Sequence, residues 1–109
     1  MHVNGRLTLG ENIADLGGLT IAYYAYQKSL EGKLRPAPID GYTAEQRFFI
    51  AFAQGWRAKL RPEVLRTIAQ SDPHSPSFWR VNGVVVNMPE FQAAFGCKDG
   101  SPMAPRSAT

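Results

Sequence analysis

The sequence predicts a mainly α-helical fold built as a single domain over residues 1–109, and three observations support this interpretation. Apolar residues recur at steps of three and four along the N-terminal stretch, which is the period of an amphipathic helix. Capping pairs, prolines and glycines stand where helices would start and stop. The 109 residues, 44% hydrophobic and 19% charged, have the balance of a small globular domain.

The first predicted helix runs from about Leu9 to Leu30. Thr8 and Glu11 have the spacing of a capping box, in which both side chains bind backbone N–H groups at a helix start. Glu31-Gly32 ends the helix. Its apolar stripe consists of Ile13, Leu16, Leu19, Tyr23, Tyr26 and Leu30.

Several features of this helix lower its stability. Glu11 and Asp15 lie four residues apart, so two like charges share one face, which costs a few tenths of a kcal/mol. Gly17 and Gly18 follow, each less favourable than alanine by about 1 kcal/mol. The two acids head a strip of small residues, Gly18, Ala22, Ala25 and Ser29.

Small side chains allow a second helix to approach closely. We therefore expect a helix to pack on the strip and to present a cation or a hydrogen-bonded imidazole to Glu11 and Asp15. The periodicity alone favours the alternative, a capping Glu11 and a solvated Asp15 on a surface turn.

The central part of the chain holds a connection and two further helices. Residues 33–42 contain two prolines and a glycine and predict an irregular connection. Thr43 and Gln46 form a second capping-box pattern, and Pro62 opens a third helix that Asp72-Pro73 stops. The second helix carries a stripe whose spacing indicates a core face rather than an aromatic cofactor site: Phe48, Phe49, Phe52, Ala53, Trp56 and Leu60.

The last third of the chain is divided by prolines and glycines. Residues 72–80 predict a loop bracketed by prolines. Residues 81–87 are β-branched around an Asn-Gly pair and predict a short extended segment or hairpin. A final helix starts near Pro89 and ends at Gly96, and residues 98–109 predict a loose tail.

Composition excludes several classes of protein. The net charge of +3 and the pI of about 9.3 are too weak to imply nucleic-acid binding. A single cysteine, Cys97, excludes a disulfide within the chain. Residues 1–12 lack the apolar stretch of a signal peptide, and no apolar run approaches the ~20 residues of a membrane span.

The segment Glu11-Asn12-Ile13-Ala14-Asp15, followed by Gly17-Gly18, resembles the E-x-x-x-D motif of the neprilysin family of zinc metallopeptidases. That family includes the endothelin-converting enzymes and bacterial oligopeptidases. The resemblance covers nearly the whole chain, and it implies the helical C-terminal piece of a gluzincin-type catalytic domain. The end of the sequence lacks the Cys-x-x-Trp of the animal members, so the resemblance is to the bacterial type. Further residues fall in the family's order: Asn4-Gly5, Leu9-Gly10, Tyr26-Gln27, Phe52-Ala53-Gln54, Trp56, Arg61-Pro62-Glu63, Asp72, His74-Ser75-Pro76, Phe78, Arg80, Glu90-Phe91, Ala94-Phe95 and Cys97.

The resemblance implies a role for four residues in peptide hydrolysis. Glu11 would be the third ligand of one catalytic Zn²⁺, beside two histidines. Asp15 would accept a hydrogen bond from the ring N–H of a zinc-binding histidine. His74 would donate to the oxyanion that forms from the scissile carbonyl, and Arg80 would bind a substrate carbonyl.

The other half of the family's zinc site, H-E-x-x-H, does not occur in these 109 residues, whose only histidines are His2 and His74. The resemblance therefore implies a fragment whose partner is the upstream part of the same polypeptide. We expect the isolated chain neither to retain Zn²⁺ tightly nor to cleave peptides. We also expect it to self-associate through its uncovered apolar surface. The family suggests an extracytoplasmic location, periplasmic or secreted, with the cytoplasm as the alternative.

Two rival interpretations belong to other classes. Basic residues cluster at Arg57, Lys59, Arg61 and Arg66, as in a small basic helical module that binds nucleic acid or protein. Strong, salt-dependent nucleic-acid binding would favour that module. The second rival interpretation is a non-catalytic assembly piece that uses the family fold only for packing.

Overall fold

A computed structural model of the chain describes residues 2–106. Within these residues five α-helices follow one another and no β-strand occurs, so the predicted mainly α-helical fold is confirmed. The helices are α1 (Gly5–Ser29), α2 (Ala44–Gly55), α3 (Pro62–Ser71), α4 (Ser77–Val85) and α5 (Pro89–Phe95).

The N-terminus of α1 differs from the prediction. Asn4 is the N-cap, and its side-chain oxygen accepts hydrogen bonds from the N–H groups of Arg6 and Leu7 at 3.2 and 3.3 Å. Thr8 lies inside the helix, only 1% exposed, and donates its hydroxyl to the carbonyl of Asn4. The predicted capping box of Thr8 and Glu11 is therefore wrong, because an asparagine upstream already caps the helix.

The core lies where α1 packs against α4 and α2 packs against α5. Tyr23 on α1 stacks on Phe49 of α2 with ring centroids 5.5 Å apart, and Phe49 meets the edge of Phe91 on α5. Burying a large apolar side chain contributes about 1.5–3 kcal/mol, so this cluster supplies most of the packing energy. The buried members of the core are Leu19, Phe49, Val84, Val85 and Met88.

The predicted apolar stripes are confirmed only in part. On α2, Phe48 and Phe52 pack against the core as expected, whereas Leu60 lies beyond the helix and is exposed. On α1, Leu16 and Tyr23 face the core, but Ile13 points to solvent. The reason is that α4 covers only one side of α1.

The start of α2 and both ends of α3 follow the prediction, whereas α2 ends at Gly55, before the predicted Leu60. Thr43 Oγ1 accepts from the N–H of Gln46, and Gln46 Oε1 accepts from the N–H of Thr43, which completes the capping box. The Gln46 amide also donates to the carbonyl of Ala94 at 3.0 Å and so ties α2 to α5. Helix α3 begins at Pro62 and ends at Ser71, and both predictions are confirmed.

The predicted extended segment at residues 81–87 is wrong, because most of it belongs to α4. Val84 and Val85 are buried in the core, and this burial outweighs the β propensity of branched side chains. Asn82 does not form a turn, since its side chain donates to the carbonyl of Phe78 one turn earlier. Gly83 lies against the side chain of Trp79.

The end of the described chain is folded rather than extended away from the domain. Gly96 ends α5 with φ of 60°, the left-handed conformation that glycine adopts without strain. Residues 98–106, predicted as part of a loose tail, form turns in which the N–H of Gly100 donates to the carbonyl of Ala104. Ala104 is buried and Met103 packs against the core. The remainder of the predicted tail, residues 107–109, lies outside the described residues.

None of the helices described within residues 2–106 combines the length and apolar character needed to cross a membrane.

Candidate functional site

The four residues singled out from the sequence form two contacting pairs between α1 and the start of α4. Glu11 and Asp15 project from the N-terminal half of α1, His74 lies in the connection before α4, and Arg80 lies in the first turns of α4. His74 Nε2 is 3.3 Å from Glu11 Oε2, and Arg80 binds Asp15 directly. The packing of α4 on α1 therefore joins two motifs that are far apart in the sequence.

The contact between Arg80 and Asp15 is a bidentate ion pair. Arg80 Nε donates to Asp15 Oδ2 at 2.8 Å, and Nη2 donates to Oδ1 at 2.7 Å. The Arg80 and Asp15 side chains are only 17% and 15% exposed, so solvent weakens the pair little. The hydrogen bonds that Arg80 donates to Asp15 raise the pKa of Arg80 above its ordinary value, and the guanidinium keeps its charge.

The ring of Trp56 packs on a face of the Arg80 guanidinium, whose edge binds Asp15. The guanidinium carbon lies 3.9 Å from the centroid of the Trp56 ring, the geometry of a cation–π contact. The sequence placed Trp56 on the apolar stripe of the second helix and among the residues in the family's order, and it gave Trp56 no role in the site. No local pattern indicates that the ring at the C-terminal end of α2 meets an arginine in α4.

His74 is oriented by Asp72, which the sequence did not single out as a site residue. Asp72 Oδ1 accepts a hydrogen bond from the backbone N–H of His74 and another from its ring Nδ1, both at 2.8 Å. The backbone hydrogen bond first, and the ring hydrogen bond second, lower the pKa of Asp72 below its ordinary value. The sequence contained a signal for this contact. An aspartate side chain commonly accepts a hydrogen bond from the backbone N–H two residues later, in an Asx turn.

The ring of His74 uses its two nitrogens in different directions. Because Nδ1 donates to Asp72, Nε2 is the nitrogen that faces Glu11. When the ring is protonated, both nitrogens donate, so Nε2 can offer a hydrogen bond to an anionic oxygen beside Glu11.

The residues present fit a metal site only as one part of it. Among residues 2–106, no group of three or more His, Cys, Asp or Glu side chains could hold a metal ion. Glu11 nevertheless suits a zinc ligand, since its carboxylate is 45% exposed and is attached to a regular helix. Within the described residues Glu11 has the chemistry of one such ligand, and no group of three possible ligands accompanies it.

The strip of small residues on α1 lies open. A Cβ added at Gly17 or Gly18 would meet no atom within 4 Å, and Ala22, Ala25 and Ser29 are exposed. Large apolar side chains are exposed on the same helix at Leu9, Ile13, Ile21 and Tyr24. A helix that is apolar on most sides is typical of the interior of a larger domain.

Comparisons with known proteins give one consistent result. Residues 1–109 match the family model of peptidase family M13. The chain is 50% identical over 106 residues to human endothelin-converting enzyme-like 1, covering 95% of this chain and 14% of that protein. It is 45% identical over 109 residues to Neprilysin-1 of Caenorhabditis elegans, covering 96% of this chain and 14% of that protein.

A solved structure resembles the chain equally well. The cryo-EM structure of the Mycobacterium tuberculosis zinc metalloprotease ZMP1 in its open state superposes with a TM-score of 0.89 at 47% identity. The match covers 95% of this chain and 16% of that one. The chain thus spans about one seventh of the length of the relatives that it matches.

The ion pair of Arg80 and Asp15 should contribute measurably to stability. Asp15→Asn removes the charge and leaves Arg80 half-paired in a largely buried position, so we expect a loss of about 2 kcal/mol in the free energy of unfolding in urea. The matched control is Arg35→Ala, which breaks the ion pair of Arg35 with Glu45. Because the Arg35 side chain is mostly exposed, that change should cost about 0.5 kcal/mol or less. Equal losses in the two variants would contradict a special role for the Asp15 pair.

Asp72 should make the stability of the domain depend on pH. Its pKa is lower in the folded chain than in the unfolded chain, so its contribution is present above the unfolded value of about 3.9 and is lost as pH falls through the folded value. NMR titration of the carboxyl group should therefore give a midpoint below 3.9. Asp72→Asn should be less stable than the parent chain at pH 7, and the two urea midpoints should converge in acid. A constant difference between them at all pH values would contradict the assignment.

Proposed function

The chain belongs to peptidase family M13, and we propose that it forms the C-terminal part of the catalytic domain of a neprilysin-like zinc metalloendopeptidase that hydrolyses peptide bonds in oligopeptides. The chain covers only 14–16% of the relatives, so the activity is proposed for a protein that also contains H-E-x-x-H. The separation of 3.3 Å between His74 Nε2 and Glu11 Oε2 carries this proposal. Because of this short distance, an anionic oxygen bound next to Glu11 would lie within hydrogen-bonding distance of His74 Nε2.

Glu11 would hold the metal through its carboxylate, together with two histidines of an H-E-x-x-H segment. When bound, Zn²⁺ supplies a Lewis acid that polarises the scissile carbonyl and lowers the pKa of a water molecule. The open position of Glu11 on α1 supports this role, because other ligands can approach the carboxylate from the uncovered side.

His74 would stabilise the transition state by donating from Nε2 to the developing oxyanion. Asp72 supports that role by holding Nδ1 at 2.8 Å, which fixes the plane of the ring before substrate arrives. Such preorganised donors are typically worth about 10²–10³ in turnover.

Arg80 would bind a carbonyl of the peptide substrate. Its Nε and Nη2 are committed to Asp15, whereas Nη1 makes no hydrogen bond to any of the described residues and can serve the substrate. Asp15 was predicted to orient a zinc-binding histidine. Its contacts here support a second task, holding Arg80, and the contact with a histidine stays a prediction.

The open strip on α1 would receive the helix that carries H-E-x-x-H. Glycine and alanine at the strip permit close approach, and the absence of any atom within 4 Å of a Cβ at Gly17 and Gly18 supports an occupant from elsewhere in the protein. The extracytoplasmic location that the family suggests stays a prediction, which cell fractionation would test.

The comparisons favour the peptidase over the small basic binding module, since every reported relative belongs to the peptidase group. The side chains of Arg57, Lys59, Arg61 and Arg66 are exposed, as in a solvated polar surface. No observation favours the non-catalytic assembly piece.

The function can be tested by comparing the isolated chain with a protein that joins residues 1–109 to an H-E-x-x-H segment of the family, here called the joined protein. The isolated chain should bind zinc weakly and show no turnover of a fluorogenic peptide, because it contributes one ligand and no general base. The joined protein should bind one zinc and cleave the peptide. In it, Glu11→Gln should lose zinc, whereas His74→Ala should keep zinc and lose about 10²–10³ in kcat.

The matched control is His2→Ala, which removes the other histidine of the chain and should leave kcat and zinc content unchanged. Stoichiometric zinc binding together with peptide turnover in the isolated chain would contradict the proposal. Full activity of His74→Ala in the joined protein would contradict it as well.

The open surface of α1 predicts that the isolated chain self-associates. Exposed apolar groups that normally face another part of a protein favour association in water. Light scattering at rising concentration should show a growing mass, and Ile21→Glu, placed among the exposed apolar residues, should reduce it. A constant monomer mass at high concentration would count against this prediction.

A further inference from the structure

A line of polar side chains runs along α1 and ends on the loop that carries His74. The Thr8 hydroxyl donates to the carbonyl of Asn4 at 3.2 Å, and the Asn12 amide donates to Thr8 Oγ1 at 3.3 Å. The Ser75 hydroxyl then donates to Asn12 Oδ1 at 2.8 Å. Asn4, Thr8 and Asn12 are spaced by one helical turn each, so they lie above one another on one face of α1. We call Thr8, Asn12 and Ser75 the polar ladder.

The direction of each hydrogen bond in the polar ladder is determined by the preceding one. Thr8 donates its single hydroxyl proton to the carbonyl of Asn4, so its oxygen can only accept a hydrogen bond from Asn12. The NH₂ group of Asn12 is thereby turned toward Thr8, and its Oδ1 faces the loop. Asn12 consequently presents a fixed acceptor to Ser75.

The loop needs this attachment, because the contacts of His74 itself are mostly local. His74 donates both hydrogen bonds to Asp72, the C-cap of α3, so they orient the ring relative to α3 and not relative to α1. The ion pair at Arg80 anchors α4 rather than the loop before it. Residues 73–75 lie between the C-cap of α3 and the N-cap of α4, and each residue can span about 3.3–3.6 Å, so these two ends still leave the loop several ångströms of freedom. Ser75 is the residue next to His74.

Burial makes the attachment specific. Ser75 is 6% exposed and Thr8 is 1% exposed, so water competes little for their hydroxyl groups. Thr8, Asn12 and Ser75 also line a cavity of ≈ 520 Å³ between α1 and α4. The loop has no close-packed side chains against it on the cavity side. If the hydrogen bond between Ser75 and Asn12 were lost, packing there would not hold the loop in place.

We propose that Asn12 and Ser75 are positioning residues that hold the His74 loop on α1, so that the separation between His74 Nε2 and Glu11 is set by one hydrogen bond. This inference rests on the proposed function for its catalytic consequence. Glu11 and Asn12 are neighbours on α1, as His74 and Ser75 are neighbours in the loop. The hydrogen bond therefore joins the two pairs directly beside the atoms that would act on the substrate.

The test in the joined protein is Ser75→Ala. Loss of the hydroxyl should lower kcat about 10- to 100-fold, because a donor displaced by about 1 Å no longer meets the oxyanion. KM should change less than about 2-fold, since the interaction is realised only in the transition state. Ser75→Thr keeps a hydroxyl and should recover most of kcat. The double variant with Asn12→Ala should be no slower than the slower single variant, because both changes remove the same hydrogen bond between Ser75 and Asn12.

Ser71→Ala is the matched control. The Ser71 hydroxyl donates to the carbonyl of Thr67 within α3 at 2.8 Å, so this serine binds its own helix and not α1. Its kinetic constants should equal those of the unmodified protein. A Ser75→Ala protein whose kcat per zinc-loaded molecule stays within about 2-fold would overturn the proposal, even if its Tm falls.

A second measurement uses the isolated 109-residue chain and needs no peptidase activity. NMR cross-peaks between ring protons of His74 and side-chain protons of Glu11 should be visible, and they should weaken in Ser75→Ala and Asn12→Ala but not in Ser71→Ala. Unchanged cross-peaks would overturn the inference. If the joined protein shows no peptidase activity at all, the proposed function fails, while the cross-peaks still decide the positioning role.

Discussion

The ion pair between Arg80 and Asp15 is the interaction on which the arrangement of this domain depends. It closes the contact of α4 with α1 across 65 residues of sequence, and it does so with two hydrogen bonds below 3 Å in a largely buried position. A bidentate pair has a defined orientation as well as a strength. It therefore fixes the orientation of α4 on α1, and the Ser75–Asn12 hydrogen bond then holds the His74 loop that precedes α4.

Around that pair the site is built from contacts of different range. Asp72 orients the His74 ring over two residues, Ser75 attaches the loop to Asn12, and Trp56 covers the Arg80 guanidinium from α2. Each group is held by an element other than its own or by a rigid turn. The result is one wall of polar side chains, with Glu11 at its open edge and the small residues of α1 beside it.

Much of the secondary structure was predictable, because helix ends depend on local chemistry. Thr43 with Gln46, Pro62 and Gly96 each act on the backbone within a few residues, and the helices begin or end there as predicted. The predictions fail where burial in the core, rather than local propensity, determines the secondary structure. Residues 81–87 have β-branched side chains, but Val84 and Val85 are drawn into the core as part of a helix, and the intrinsic preference is outweighed.

The sequence by itself determined which family the chain belongs to and which four side chains deserved attention, since Glu11, Asp15, His74 and Arg80 stand in recognisable local patterns. The tertiary structure alone decided which of them meet. Asp15 binds Arg80, and Glu11 faces His74. Trp56, which local spacing assigns to an apolar stripe, and Asn12, to which it assigns no role, also join the site. The physical reason is that periodicity and capping act over one or two helical turns, whereas these partners are brought together by the packing of separate helices.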